Sequence, residues 1–257
     1  MADLQSIEPQ IIKALIVMRH GERIDSSNLQ NNVQILPKYD PELTEKGINQ
    51  AQDVAKQIKK SIKNNKDKIS TLNIYCSPFT RTIMTGLNVA LKLNLENNNL
   101  FIVNSLFEIA TKNNFEFFPL NSLLINNKSD KKNEYEKFID KTAEKIKNLK
   151  IIKYKEKFDN NDIKYPEEFK DAIDRYKKIG EELFDEISKN GNNNINIIVT
   201  HGYGVQVITE FFFGKTPNKD ELLNKEIFLV DYCTSYCFNF INNNEMKFIG
   251  RIEPSFD

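Results

Sequence analysis

Apolar residues run unbroken from Ala14 to Met18 and then stop abruptly at Arg19-His20-Gly21-Glu22-Arg23. A short continuous apolar run that ends in polar residues predicts a strand buried on both faces. Similar stretches return at Leu72–Cys76, Leu100–Val103 and Ile195–Val199, the first and last interrupted by a single Asn. Between them the apolar spacing changes to the helical period. Ile48, Ala51, Val54, Ala55 and Ile58 share one face of a helix opening at Thr44-Glu45, where Thr44 has N-cap chemistry. A second helix is expected from just after Ser77-Pro78 to about Leu93. A third should run from Pro166, a favourable first helical residue, to about Ser188, and a fourth from Val205 to Phe213. Tyr236–Ile241 and Met246–Ile252, separated by Asn242-Asn243-Asn244-Glu245, predict a β-hairpin.

Strands alternating with helices predict an α/β fold: a three-layer sandwich with a mostly parallel sheet flanked by helices, and the hairpin at one sheet edge. The chain, residues 1–257, reads as one domain of ordinary size. The alternation lapses between 111 and 165, where Asn, Lys and Phe dominate and a helix is expected only around 134–149. This stretch predicts a partly helical insertion or cap over one rim. Phe115, Phe117 and Phe118 could line a pocket beneath it, although packing on the core is the commoner fate of such a cluster. Residues 59–70 read as a frayed helix end and loop. The Asn clusters 97–99, 192–194 and 242–244 read as loop padding.

Composition narrows the classes. Lys plus Arg and Asp plus Glu both number 36, so the formal net charge is zero. General nucleic-acid and membrane-surface binders carry a basic excess, so neither partner is expected. Residues 1–12 lack a basic start and apolar core of the secretory kind, and no run approaches the roughly 20 apolar residues of a spanning helix. Three cysteines, an odd number without a framework pattern, predict a reducing, cytoplasmic home. Cys233 and Cys237 lack a nearby His or second Cys pair and read as buried thiols, with no metal expected.

The chemistry gathers where strands end, since open α/β sheets bind ligands beyond their carboxyl ends. His20 follows the first strand, between Arg19 and Arg23. Neighbouring cations depress an imidazole pKa and keep the ring in its nucleophilic neutral form. Arg forks beside such a ring suit a phosphoryl group. The chain has only two histidines, and the second, in Thr200-His201-Gly202-Tyr203-Gly204, also follows a buried strand. A helix starting there would turn the backbone N–H groups of Gly202 and Tyr203 toward an anion. Arg81 falls in the first turn of the helix after Leu72–Cys76, where it can overhang the same rim as Arg19.

Arg19-His20-Gly21-Glu22 resembles the signature of the histidine phosphatase, or phosphoglycerate-mutase-like, superfamily. The longer run to Arg23 most resembles the branch of the suppressor-of-T-cell-receptor-signalling phosphatase domains. Asp40-Pro41…Leu43-Thr44…Gly47…Gln50-Ala51, Ser77-Pro78…Arg81 with Thr85, and His201-Gly202 follow in that superfamily's order, so the resemblance spans nearly the whole chain. It implies a metal-independent phosphomonoesterase without a cofactor. His20 would attack phosphorus to form a phosphohistidine. Arg19, Arg23, Arg81, a protonated His201 and the amides of Gly202 and Tyr203 would hold the oxygens. Glu108, after Leu106-Phe107, matches that branch's proton donor, and its apolar sequence neighbours suggest a raised pKa. Glu22 reads as a supporting residue.

Acid phosphatases of the superfamily carry an Asp after the second His, where this chain has Gly202, which strengthens Glu108. Phosphoglycerate mutases carry a Glu-Arg-x-Tyr-Gly-type segment after the acid, whereas Ile109-Ala110-Thr111-Lys112 follows here. Hydrolysis is therefore the expected reaction, on a phosphate ester of a small molecule or a protein. A mutase is the alternative, as is a weakly active regulatory or scaffold domain of the same fold. A homodimer is possible.

Overall fold

A computed structural model describes residues 13–26, 40–62, 69–116, 140–157, 165–217 and 230–255. Among the described residues, seven strands form one mixed sheet: β1 (Lys13–Arg19), β2 (Thr71–Cys76), β3 (Asn97–Ile102), β4 (Leu149–Lys153), β5 (Asn194–Thr200), β6 (Ser235–Asn242) and β7 (Glu245–Ile252). Their spatial order is β4-β3-β2-β5-β1-β6-β7. The first five are mutually parallel, and the β6–β7 hairpin runs antiparallel at one edge.

Side chains along β1 alternate between two cores, as strand geometry requires. Ile16 and Met18 join the apolar cluster under α1 (Glu45–Ser61) and α2 (Thr80–Leu93). Leu15 and Val17 join the cluster under α3 (Phe169–Lys189) and α4 (Gly202–Phe213). Helices thus cover both faces, which explains why β1, β2 and β5 carry apolar residues on both sides. The sheet is the expected mostly parallel α/β architecture.

Three local expectations are corrected. Asn97–Asn99 are not loop padding: they begin β3, three residues before Leu100. Asn99 donates to the Asn73 side chain at 2.9 Å, Asn73 donates to Asn196 at 3.0 Å, and Asn196 donates to the Ala14 carbonyl at 3.2 Å. This row of amides crosses four strands and is satisfied link by link. Inside the expected insertion, 140–143 is helical, but Leu149–Lys153 is an edge strand beside β3. Ile151 and Ile152 of that strand are exposed, so it lacks the apolar burial that marks the other strands. Phe117, Phe118 and 134–139 lie outside the described residues. Third, α3 opens at Phe169 and not at Pro166, because Glu167 is engaged by Ala110 and Arg175 before the helix begins.

Cys76, Cys233 and Cys237 are buried free thiols. Among the described residues no helix is long and apolar enough to cross a membrane, and no three His, Cys, Asp or Glu side chains gather to hold a metal.

Candidate active site

The carboxyl ends of β1, β5 and β2 deliver the chemistry. Because β5 lies between the other two, Thr200 pairs with Arg19 and Val199 with Cys76. The next residues, His20, His201 and Ser77, therefore emerge at one level. The His20 amide donates to the Thr200 carbonyl at 3.0 Å, and the Ser77 amide to the Val199 carbonyl at 3.0 Å. The two imidazoles stand edge to face, with ring centroids 5.3 Å apart.

Gly21 lets the chain turn away from His20 against α1. A Cβ on Gly21 would lie 2.5 Å from the Gly47 carbonyl oxygen, and one on Gly47 would lie 2.4 Å from that of Glu22. Two backbones touch here, and glycine is needed on both. Thr44 caps α1 by accepting from the Gly47 amide at 2.9 Å, and its hydroxyl donates to Glu22 Oε1 at 3.0 Å. Glu22 is thereby a brace between β1 and α1. Thr85 Oγ1 accepts from the Gly21 amide at 3.0 Å and donates to the Arg81 carbonyl at 2.7 Å, joining α2 to the same loop.

The hydrogen bonds fix opposite tautomers on the two histidines. His20 Nδ1 lies 2.8 Å from the Gly21 carbonyl, which can only accept. Nδ1 therefore carries the proton and Nε2 the lone pair. At His201, Arg81 Nη2 lies 3.4 Å from Nδ1, and a guanidinium can only donate. Nε2 then carries the proton and donates to Ser77 Oγ at 2.9 Å. Burial, reinforced by Arg81 and Arg19, holds the His20 pKa well below the ordinary imidazole value. The direction is the one read from its cationic neighbours, with burial as the larger cause. Burial, then Arg81 and His20, depresses His201 as well. The expectation of a protonated His201 concerns the phosphate-bound site; without that charge, burial and Arg81 disfavour the imidazolium.

Arg81 is fully buried. Its guanidinium lies over the Phe79 ring at 4.3 Å, donates to Glu108 Oε2 at 2.5 Å and faces Asp40 at 3.6 Å. Asp40 accepts from the Thr80 amide at 2.7 Å and the Thr80 hydroxyl at 2.6 Å, which caps α2 from forty residues upstream. Burial pushes the Asp40 carboxyl up to about 6 against the pull of Arg81. Arg19 is held by a bond from Nη1 to the Val230 carbonyl at 2.7 Å and by stacking on Tyr232 at 4.2 Å. Among the described residues, the buried Nε atoms of Arg19 and Arg81 have no hydrogen-bond partner. Arg23 pairs with Asp25 at 2.9 Å and reaches Glu108 at 3.7 Å.

The apolar surroundings expected for Glu108 are also corrected. Phe107 and Ile109 turn into the cores, while the Glu108 side chain turns to Arg81, Arg23 and His201, the last at 3.9 Å. Its setting is cationic. Gly202 lies beside Arg19, whose Nε would be 3.6 Å from a Cβ placed there. Tyr203 packs on the core beneath α3 and edge-on to Phe169, so its ring is occupied away from the cluster. Phe115 backs the site from a distance, packed on Phe79, which in turn meets the His201 ring at 5.3 Å. Asp40, Ser77 and Tyr232 received no role from the sequence. Asp40 and Ser77 stand within recognisable motifs, but Tyr232 carries no local signal.

Residues 15–110 match the model of the histidine phosphatase superfamily (branch 1). That segment holds Arg19, His20, Arg23, Arg81 and Glu108 and is well under half of the chain; His201 lies beyond the match. A comparison with curated protein sequences gave no match. Similar solved structures include phosphoserine phosphatase from Entamoeba histolytica in complex with 3-phosphoglyceric acid, with a TM-score of 0.49 and 18% identity, covering 94% of this chain and 98% of that one. A mutant of phosphoserine phosphatase from the same organism, in complex with phosphoserine, gives a TM-score of 0.45 and 18% identity, covering 94% and 96%.

Proposed function

We propose that the protein is a phosphomonoester hydrolase that works through a phosphohistidine on His20. One observation carries this reading: His20 Nδ1 is committed to the Gly21 carbonyl, which leaves the Nε2 lone pair free on a neutral ring beside buried guanidinium groups. Such a ring is a nucleophile, and the cations favour a phosphoryl group as its target.

In this mechanism Arg19, Arg23 and Arg81 bind the phosphoryl oxygens, with the Gly202 and Tyr203 amides at the start of α4 adding to the field. His20 Nε2 attacks phosphorus in line as the bond to the leaving oxygen breaks. Phosphoryl oxygens compete with Glu108 for Arg81; the carboxylate so released takes the proton of the phosphate monoanion and passes it to the leaving oxygen. Water then attacks the phosphohistidine while Glu108 accepts its proton, and the departing phosphate carries that proton away, which restores both groups. His201 lies beside the transferring group and donates to it once the phosphate charge offsets that of Arg81. The guanidinium groups supply the charge stabilisation that a metal supplies in other phosphoryl transfers. The run Arg-His-Gly-Glu-Arg supports the suppressor-of-T-cell-receptor-signalling branch within the superfamily.

Hydrolysis of nitrophenyl phosphate by the purified protein, with and without a chelator, tests this reading. Turnover should persist in chelator and vanish in His20→Ala. Loss of turnover on chelation, restored by Mg²⁺ or Zn²⁺, overturns the mechanism, and absence of turnover in every condition overturns the function.

A further inference from the structure

Against the chain that carries Glu108, Arg175 and Glu167 form a buried ion pair. Nε meets Oε1 at 2.8 Å and Nη2 meets Oε2 at 2.8 Å, with the side chains 5% and 2% exposed. Their remaining polar atoms converge on the chain that carries Glu108. Arg175 Nη1 donates to the carbonyls of Ser105 at 2.7 Å and Phe107 at 3.0 Å. Its guanidinium also lies over the Phe107 ring at 3.7 Å. Beyond Glu108, the Ala110 amide donates to Glu167 Oε2 at 3.2 Å, and the Glu167 amide donates to the Ala110 carbonyl at 2.9 Å. Tyr176 OH donates to the Phe107 carbonyl at 2.6 Å, and Thr200 Oγ1 to that of Leu106 at 2.9 Å.

We propose that Arg175 and Glu167 are positioning residues for Glu108, a clamp that holds the backbone on both sides of the proton donor; this rests on the acid role given to Glu108 above. The physical case is one of economy. A buried ion pair gains little net stability, because desolvation offsets its attraction, and an apolar pair of the same volume fills such a space about as well. An apolar pair cannot bind the three backbone groups these side chains reach, the carbonyls of 105 and 107 and the amide of 110. Segment 105–110 has neither helix nor ladder beyond one 3-10 turn at Asn104–Leu106, so these bonds, with those of Glu156 to Ser105, fix the backbone from which the Glu108 side chain reaches Arg81. Proton transfer demands hydrogen-bond reach, and displacement by about 1 Å can cost up to about 100-fold. Thr200, the residue before His201, belongs to the same set of bonds, so the donor is fixed relative to the imidazole it faces.

The test compares an alkyl phosphate, whose departure needs a proton, with nitrophenyl phosphate, whose departure does not. Arg175→Lys keeps the charge but loses the fork. It should slow the alkyl ester between about 10- and 100-fold and the nitrophenyl ester less than about 3-fold, with KM little changed. In a Glu108→Gln background the same substitution should cause no further loss on the alkyl ester. Tyr176→Phe removes a single bond to the Phe107 carbonyl, keeps the ring packing, and should show the same selectivity in weaker form even if Arg175→Lys fails to fold. Equal losses on both esters, or an additive loss in the Glu108→Gln background, overturn the clamp. If Glu108→Gln itself lacks leaving-group dependence, the acid assignment fails; if it shows that dependence while Arg175→Lys and Tyr176→Phe do not, the clamp alone fails.

Discussion

The Glu108 carboxylate accepts a 2.5 Å hydrogen bond from Nη2 of Arg81, and the same guanidinium lies 3.4 Å from His201 Nδ1. One side chain thus touches both the proposed acid and the second histidine. Its own burial is made tolerable by Asp40 on the opposite side. The site is a small charge network with Arg81 at its centre.

Glu108→Gln should lower turnover of an alkyl phosphate by about 10²–10⁴-fold and that of nitrophenyl phosphate far less, because only the poor leaving group needs a proton. Steady-state kinetics on both esters measures this. Equal losses would make Glu108 a binding residue.

His20→Ala should abolish the covalent phosphoenzyme and leave weak binding of vanadate. His201→Ala should slow phosphorylation of His20 without preventing it. Rapid-quench trapping of acid-labile phosphohistidine separates the two, and phosphate trapped on His201 in the His20→Ala protein would reverse the roles.

The opposite tautomers are visible directly. With only two histidines in the chain, a ¹⁵N spectrum of the imidazoles should show one ring protonated at Nδ1 and the other at Nε2. Both pKa values are depressed, so neither ring should titrate near pH 6.5. A midpoint there for either ring contradicts the buried, cationic setting.

Asp40 gives a pH signature. Its folded pKa is raised from 3.8 to about 6, so the folded state binds the proton more tightly than the unfolded chain does. The resulting stability is present below about pH 4 and lost as pH rises through about 6, on the order of 2–3 kcal/mol. Denaturant unfolding at pH 4 and pH 7.5 should show Asp40→Asn gaining on the wild type by that order as pH rises. The comparison between the two proteins cancels the titration of other groups. No change in the difference would mean that Asp40 is solvated.

Gly21→Ala should destabilise the fold by about 1–3 kcal/mol, since the new Cβ has backbone 2.5 Å away and nothing flexible to displace. Thermal unfolding measures it, and an unchanged midpoint would show that α1 can withdraw from the loop.

The sheet was legible in the sequence where strands are buried on both faces. Leu15, Ile16 and Val17 announce β1 because two cores need them. Lys150, Ile151, Ile152 and Lys153 announce nothing, because an exposed edge strand has no face that must be apolar. At the site, residues ending β1, β2 and β5 could be read from motif and strand end together. The setting of Glu108 could not, since Arg81 and Arg23 reach it through the fold. Asp40 and Thr80 are forty positions apart, and Arg175 lies 68 beyond the Phe107 carbonyl it holds. Local patterns carry no record of such pairings.

The amide row through Asn99, Asn73 and Asn196 bears on how the chain avoids mistakes while folding. Parallel strands far apart in sequence can align in several offsets that keep apolar residues inward, and apolar contact discriminates weakly among them. An amide chain does discriminate: shifting one strand leaves a donor and an acceptor stranded in a dry interior, at about 1–3 kcal/mol each. The row therefore acts as a proofreading mark, and the two partners of Asn73, at β3 and β5, check the offset on both sides of β2. Replacing all three by valine should leave a sheet that still collapses but admits more than one alignment, and the loops carrying Ser77 and His201 would then no longer arrive at one level.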